Sequence, residues 1–245
     1  MWYSFVEKNS AATTGASIAI VLGAGVAGGE FLVIGNAFLF ALLAALAIYG
    51  MARYRGIGSE TMVLAGIAVM YLFSAVTSLL QYVGSAEQLQ AVVFWTFGSV
   101  DKSTWPKLAI VSLVLACTVP YLLYRAWDLN ALAEGDEVAA SLGVPVERSM
   151  MVMMMIASLI TAVIICFTGT IGFIGLVAPH ITRMVIGGDF RTLLPASGLV
   201  GALLLLSADS IARSVLAPQV LPVGIVTAFL GVPFFIYLFL RRRNA

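Results

Sequence analysis

Eight long apolar runs constrain this chain more than any other feature. They lie at 13–28, 31–52, 61–83, 105–127, 150–169, 171–187, 193–215 and 221–241, and the breaks between them carry turn residues such as Gly28-Gly29, Gly56-Ile57-Gly58, Gly187-Gly188-Asp189 and Pro218. About 20 mostly apolar residues cross a bilayer as a helix. In hydrocarbon the backbone must satisfy its own hydrogen bonds, so only helices and closed barrels span. A barrel wall would alternate apolar and polar residues, and these runs do not. The predicted fold is therefore all-α, a polytopic membrane bundle of about eight transmembrane helices forming one domain over 1–245. Of the 245 residues 61% are hydrophobic and 10% charged, against about 25% charged in a soluble domain. These values exclude disorder, which needs low hydrophobicity and high charge. A net charge of +1 gives a nucleic-acid partner no support.

Charge placement predicts orientation, because Lys and Arg accumulate on the cytoplasmic side. With both termini inside, Arg53, Arg55, Arg125, Arg148, Arg183, Arg191 and Arg241-Arg242-Arg243 fall in the cytoplasm, nine cations against three outside. The outer three are Lys102, Lys107 and Arg213; Lys8 stays unassigned. The first residues, Met1 to Lys8, lack the basic start and cleavage site of a signal peptide. Insertion is thus expected to rely on the spanning helices.

Two connections are built rather than loose. The outer one, 84–104, contains a short amphipathic helix over 86–98, too short to span. The inner one, 128–149, has Asp136 as an N-cap, Gly143 as a helix stop and Pro145 as a first-turn residue. It predicts two short cytoplasmic helices joined at Gly143.

Catalysis finds no footing in these residues. There is one His, the two Cys (Cys117 and Cys166) lie apart in apolar runs, and no Gly-x-Ser-x-Gly occurs. Gly98-Ser99-Val100-Asp101-Lys102-Ser103 lacks the Gly that precedes the Lys of a phosphate loop. Met150, Met151, Met153, Met154 and Met155 read as packing filler rather than soft-metal ligands. No metal site, no cofactor and no enzyme activity are expected of the chain. Ionisable groups within membrane spans are costly and usually mark function. His180, after Pro179, is expected to be a hydrogen-bonded structural His near the cytoplasmic end. Asp209 and Arg213, spaced i,i+4 with the acid first, predict a helical ion pair. Gly169, Gly172 and Gly175 beside Pro179 predict close helix approach or a loosened helix lining a cavity.

Taken together, four stretches resemble a known family: 172–183 (Gly-Phe-Ile-Gly-Leu-Val-Ala-Pro-His-Ile-Thr-Arg), 189–195 (Asp-Phe-Arg-Thr-Leu-Leu-Pro), 208–213 (Ala-Asp-Ser-Ile-Ala-Arg) and 221–228 (Leu-Pro-Val-Gly-Ile-Val-Thr-Ala). Leu129-Asn130 with 135–144, and Phe94-Trp95-Thr96-Phe97-Gly98-Ser99, extend the likeness, which covers roughly 13–243. The family is the FecCD-type permease of type II ABC importers, which carry iron–siderophore complexes, haem and cobalamin. Residues 1–12 are atypical of it, and the runs correspond to the last eight of the family's ten helices.

The resemblance implies a permease subunit of a prokaryotic cytoplasmic membrane that translocates a metal chelate, ferric siderophore first, haem or cobalamin next. Its implied partners are a second permease copy, two ATPase subunits that bind the ATP, and an extracytoplasmic binding protein. Glu134, Asp136, Glu137, Val138, Ala139, Leu142, Gly143, Val144 and Pro145 would meet the ATPase. Trp95, Gly98, Gly169, Gly172, Gly175, Pro179 and His180 would line the gate or pathway. Lys102, Lys107 and Arg213 would face the binding protein, cations complementing acidic lobes. Two other readings compete: an ion-gradient-coupled transporter, which would carry ionisable groups near the midplane, and a shortened, non-transporting scaffold.

Overall fold

The computed structural model describes residues 2–25, 28, 31–55, 59–216 and 218–241. Among them every regular element is a helix. In chain order these are α1 (Trp2–Leu22), α2 (Phe31–Arg55), α3 (Ser59–Val83), α4 (Ala86–Phe97), α5 (Trp105–Tyr124), α6 (Ala126–Ala133), α7 (Asp136–Ser141), α8 (Val146–Thr168), α9 (Ile174–Ile186), α10 (Phe190–Ser214) and α11 (Val223–Arg241). Each of the eight expected runs coincides with one helix. The first is displaced: α1 begins at Trp2 rather than at 13 and ends at Leu22. The expected turn at Gly56-Ile57-Gly58 and the tail Arg242-Arg243 lie outside the described residues.

Among the described residues five helices are long and apolar enough to cross a membrane: 31–51 of α2, 63–83 of α3, α5, α8 and α10. Ile174–Ile186 and Val223–Ile236 are shorter apolar helices. The first half of α1 is diluted by Glu7, Lys8, Asn9 and Ser10. Outward-facing Leu199, Leu203 and Leu206 on α10 form an exposed apolar stripe, a surface that suits hydrocarbon and would be a liability in water.

The chain divides into two compact units. The first comprises Met1–Thr96, Lys102–Val119 and Pro145–Gly169. Here α1 packs on α2 and α3, and α8 packs on α2. The seam is almost wholly alanine: Ala12 and Ala16 of α1, Ala37 and Ala41 of α2, and Ala162 of α8 are buried together with Ile165 and Cys166. A Cβ at Gly15 would collide with the backbone carbonyl of Asn36. Lipid tails are as apolar as Leu, so helices in a membrane gain by close packing rather than by hiding apolar surface. Small residues make that packing possible.

Polar links reinforce it. The Thr14 hydroxyl lies 2.8 Å from the Phe73 carbonyl and 2.7 Å from the Thr77 hydroxyl. Asn36 Nδ2 donates to the Ala24 carbonyl at 2.8 Å. Helix α4 starts with a capping box: Ser85 N–H donates to Gln88 Oε1 at 2.9 Å, and Gln88 N–H to Ser85 Oγ at 3.3 Å. Gln88 Nε2 then reaches the Val21 carbonyl at 3.1 Å, tying α4 to α1.

The second unit comprises Phe97–Asp101, Pro120–Val144 and Thr170–Ala245. In it α10 packs against α9, α11 and α6. Ala208 and Ala212 of α10 are buried with Val223 and Val226 of α11, and Ile171, Leu205 and Leu221 surround them. Both candidate regions described next belong mainly to this unit.

Candidate functional site

The connection between α5 and α8 is structured, as expected, but its helices fall differently. Helices α6 and α7 are joined at Glu134-Gly135, where Gly135 takes φ 119°. Asp136 is the first residue of α7 rather than its cap. After Gly143 comes no second short helix: Pro145 stands at the head of the long α8. The cause is the apolar run that follows Ser149, which extends the last turn signal straight into a spanning helix.

Gly143 does stop α7. Its φ is 81°, its N–H donates to the Ala140 carbonyl, and the Val144 N–H donates to the Ala139 carbonyl, both at 3.0 Å. That pairing is a Schellman closure, which favours glycine in the left-handed position. Ala139 is buried, whereas Glu134, Asp136, Glu137, Gly143 and Pro145 are exposed. The apolar side chains of Val138 and Leu142 are exposed as well, Leu142 by 68%. The segment presents an acidic edge beside two bare apolar side chains.

A clamp that the sequence reading passed over fixes this segment to α10. Asn130 Nδ2 donates to Asp189 Oδ1 at 2.8 Å, while Asn130 Oδ1 accepts from the Phe190 N–H at 2.9 Å. Asp189 caps α10, accepting from the Arg191 N–H at 3.0 Å. These donors, Asn130 first and the Arg191 N–H second, hold the Asp189 carboxyl below its ordinary range. The Arg191 guanidinium stacks 3.7 Å over the Trp127 ring, and Arg183 lies over the Phe190 ring at 5.9 Å. Arg125 pairs with Asp128 at 2.7 Å. Asn130 and Asp189 were both visible as parts of quoted stretches, but nothing in either stretch alone says that they meet.

The residues expected at the gate are divided between the two units. Trp95 packs on the alanine seam of the first unit, and Gly169 ends α8 there with φ 69°. Gly98, at φ 68°, belongs to the second unit, where an added Cβ would sit 2.7 Å from the Thr170 carbonyl oxygen. A Cβ at Gly224 of α11 would collide with the Phe97 carbonyl, and one at Gly231 with Phe173. Close approach is therefore made at Gly98, Gly224 and Gly231. Around Gly172 and Gly175 there is open space within 4 Å, so close packing does not explain them. Phe173 precedes α9 with φ 66°, alone among the described non-glycine residues in having positive φ. Pro179 lies inside α9. His180 is exposed, and its ring makes no hydrogen bond among the described residues; the expectation of a hydrogen-bonded His fails because the ring projects away from the packed face of α9.

Asp209 and Arg213 do pair: Arg213 Nε donates to Asp209 Oδ2 at 2.7 Å. The guanidinium also reaches Asp101, with Nη2 2.6 Å from Oδ1. Two carboxylates thus surround one guanidinium: the expected i,i+4 partner and, in addition, Asp101. Lys107 Nζ donates to the Lys102 carbonyl at 2.9 Å. Among the described residues no group of His, Cys, Asp or Glu could hold a metal.

Comparison with known proteins gives consistent matches. A family profile described as the FecCD transport family matches residues 8–241. The cobalamin import system permease protein BtuC of Halobacterium salinarum is 39% identical over 245 residues, covering 98% of this chain and 64% of that protein. The hemin transport system permease protein HmuU of Yersinia pestis is 38% identical over 209 residues, covering 85% of this chain and 63% of that protein. The chain thus spans just under two thirds of the length of these relatives. A solved chain from an inward-facing transporter assigned to the metal-chelate ABC type superimposes with TM-score 0.88 at 29% identity, over 97% of this chain and 75% of that one.

Proposed function

The chain belongs to the FecCD transport family, and from that premise we propose that it is the membrane-spanning permease part of an ATP-driven importer of metal chelates. The observation that carries the proposal is the α6–α7 segment: a compact helical knob, bare at Val138 and Leu142 and clamped to α10 through Asn130 and Asp189. A knob with exposed apolar side chains and an acidic edge suits docking into a groove of a separate ATPase, since buried apolar anchors carry most interface energy. Force applied to a clamped knob reaches the bundle; a loose loop would absorb it.

In this reading two copies enclose the pathway, an ATPase binds each from the cytoplasm, and a binding protein delivers the chelate from outside. Lys102 and Lys107 supply cationic contacts for that protein. Arg213 contributes through a pair that already includes Asp101 and Asp209. The relatives are named for cobalamin and hemin, and ferric siderophore is the third chelate to test. The chain's own role is to form the pathway, with ATP bound and hydrolysed on the partner.

The test is uptake into vesicles containing this chain, an ATPase subunit and a binding protein. Accumulation of one chelate that requires both ATP and binding protein supports the proposal. Accumulation driven by an ion gradient without ATP makes it a secondary transporter. ATPase recruitment without accumulation of any of the three chelates makes it a scaffold.

A further inference from the structure

Helix α10 is held at both ends by side chains from two other segments of the same unit, helix α6 and the loop after Gly98. At its start, Asn130 and Trp127 of α6 grip Asp189, Phe190 and Arg191. At its end, Arg213 grips Asp101 while Asp209 orients the guanidinium from one turn earlier. The loop that carries Asp101 follows Gly98, whose backbone packs against Thr170 and whose carbonyl accepts from the Gly224 N–H at 3.5 Å. The 25 residues of α10 span about 37 Å at 1.5 Å per residue. Along that length the helix is supported: Gly201 lies against Ala178 and Ile174 of α9, and Leu205, Ala208 and Ala212 meet α11. Pro195 removes one hydrogen bond, to the Arg191 carbonyl, but it does so near the start, before those contacts begin.

We propose that α10 works as a connecting rod, carrying displacement of the α6–α7 knob to the Phe97–Asp101 loop. Asn130, Trp127, Asp189 and Arg191 are positioning residues at one end, Arg213 and Asp101 at the other. The source of the displacement, an ATPase, rests on the proposed function; the coupling itself is a property of this chain. The two joints differ in kind. The Asn130–Asp189 joint is a pair of reciprocal hydrogen bonds around a helix cap. The Arg213–Asp101 joint is an exposed ion pair, with side-chain exposure of 51% and 36%, so it adds little to stability and weakens in salt. It is a releasable latch, and salt should loosen that end first.

The decisive experiment is hydrogen–deuterium exchange on the full chain in lipid nanodiscs, with no partner present. Asp101→Asn should speed amide exchange across 127–142, and Asn130→Ala should speed it across 98–101. The expected change is about twofold to fivefold for Asp101→Asn, because an exposed pair contributes little, and up to about thirtyfold for Asn130→Ala, the upper range of coupling between distant sites. Asp101→Glu should restore the unmodified rates. Changes confined to the mutated end overturn the proposal. Residues 31–51 serve as an internal control for global loosening. If a variant loosens them too, the unmodified protein decides: high salt must speed exchange in both 98–101 and 127–142, and a change in the first alone overturns the rod. The assembled transporter is read separately. Absence of binding-protein-stimulated ATP hydrolysis there would count against the proposed function and leave the exchange result standing.

Discussion

Asn130 and Asp189 lie 59 residues apart in the chain, yet the Asn130 amide donates to the Asp189 carboxylate at 2.8 Å while its carbonyl oxygen receives the next N–H along. One short amide thus serves both the side chain and the backbone of a helix start. It welds the cytoplasmic knob, under the proposed orientation, to a helix about 25 residues long.

The first prediction is the pH response of that joint. The Asp189 pKa is depressed by the Asn130 and Arg191 donors, so its stabilising effect is fully present above the unfolded value. It is lost only as pH falls through the lower folded value. In a variant keeping Trp127 as the single Trp, emission should stay constant from neutral pH to about pH 4 and change below it. Asn130→Ala should move the midpoint upward toward the ordinary carboxylate range. A midpoint at or above that range in the unmodified joint would refute the assignment.

The second concerns the knob. Gly143→Val places a β-branched residue at φ 81°, at a local cost of about 1–3 kcal/mol. Leu142→Asp removes the most exposed apolar anchor of the segment. The double variant should remain folded and membrane-inserted but lose ATPase recruitment in co-purification. Retained recruitment and retained stimulated hydrolysis would show that the ATPase docks elsewhere.

The third tests the backbone approach between α11 and the Phe97–Gly98 segment. Gly224→Ala puts a methyl group onto the Phe97 carbonyl, and overpacking of this kind costs about 1–3 kcal/mol. The variant should unfold at a lower denaturant concentration than Gly172→Ala, which enters open space. Equal midpoints for the two would contradict the packing described.

The fourth uses the two thiols. Cys117 is exposed and Cys166 is buried in the alanine seam. A membrane-permeant alkylating reagent should modify Cys117 ahead of Cys166, slowly because the thiolate is scarce in hydrocarbon, and Cys166 only after denaturation. Mass spectrometry reads both sites at once, and early modification of Cys166 would mean that the seam opens.

The bundle was legible from the chain because apolar runs long enough to span leave few alternatives, and each run became one helix. Features set by one residue or one turn were legible too: Gly143 ends α7, and Asp209 meets Arg213 one turn later. What stayed hidden were contacts between segments distant in sequence. Asp101 could not be matched to Arg213 across 112 residues when the i,i+4 partner already explained that arginine. Gly224 and Gly231 read as ordinary small residues in an apolar helix, since only the opposing Phe97 carbonyl and Phe173 give them a reason. The inner connection differs for another reason: Pro145 signals a helix start, and the apolar run after Ser149 carries that same helix on into a span.

The alanine seam of the first unit has a consequence for how damage arises. Ala41 is fully buried within the 31–51 span, and replacing it by Leu would make the segment enter the bilayer more readily, by roughly 0.3–0.6 kcal/mol on insertion scales. The same change adds three carbons where α1 and α2 touch. Delivery to the membrane and assembly within it would therefore respond with opposite signs. Such a variant would accumulate at normal levels, correctly threaded and wrongly packed, and a census of protein abundance would score it as healthy.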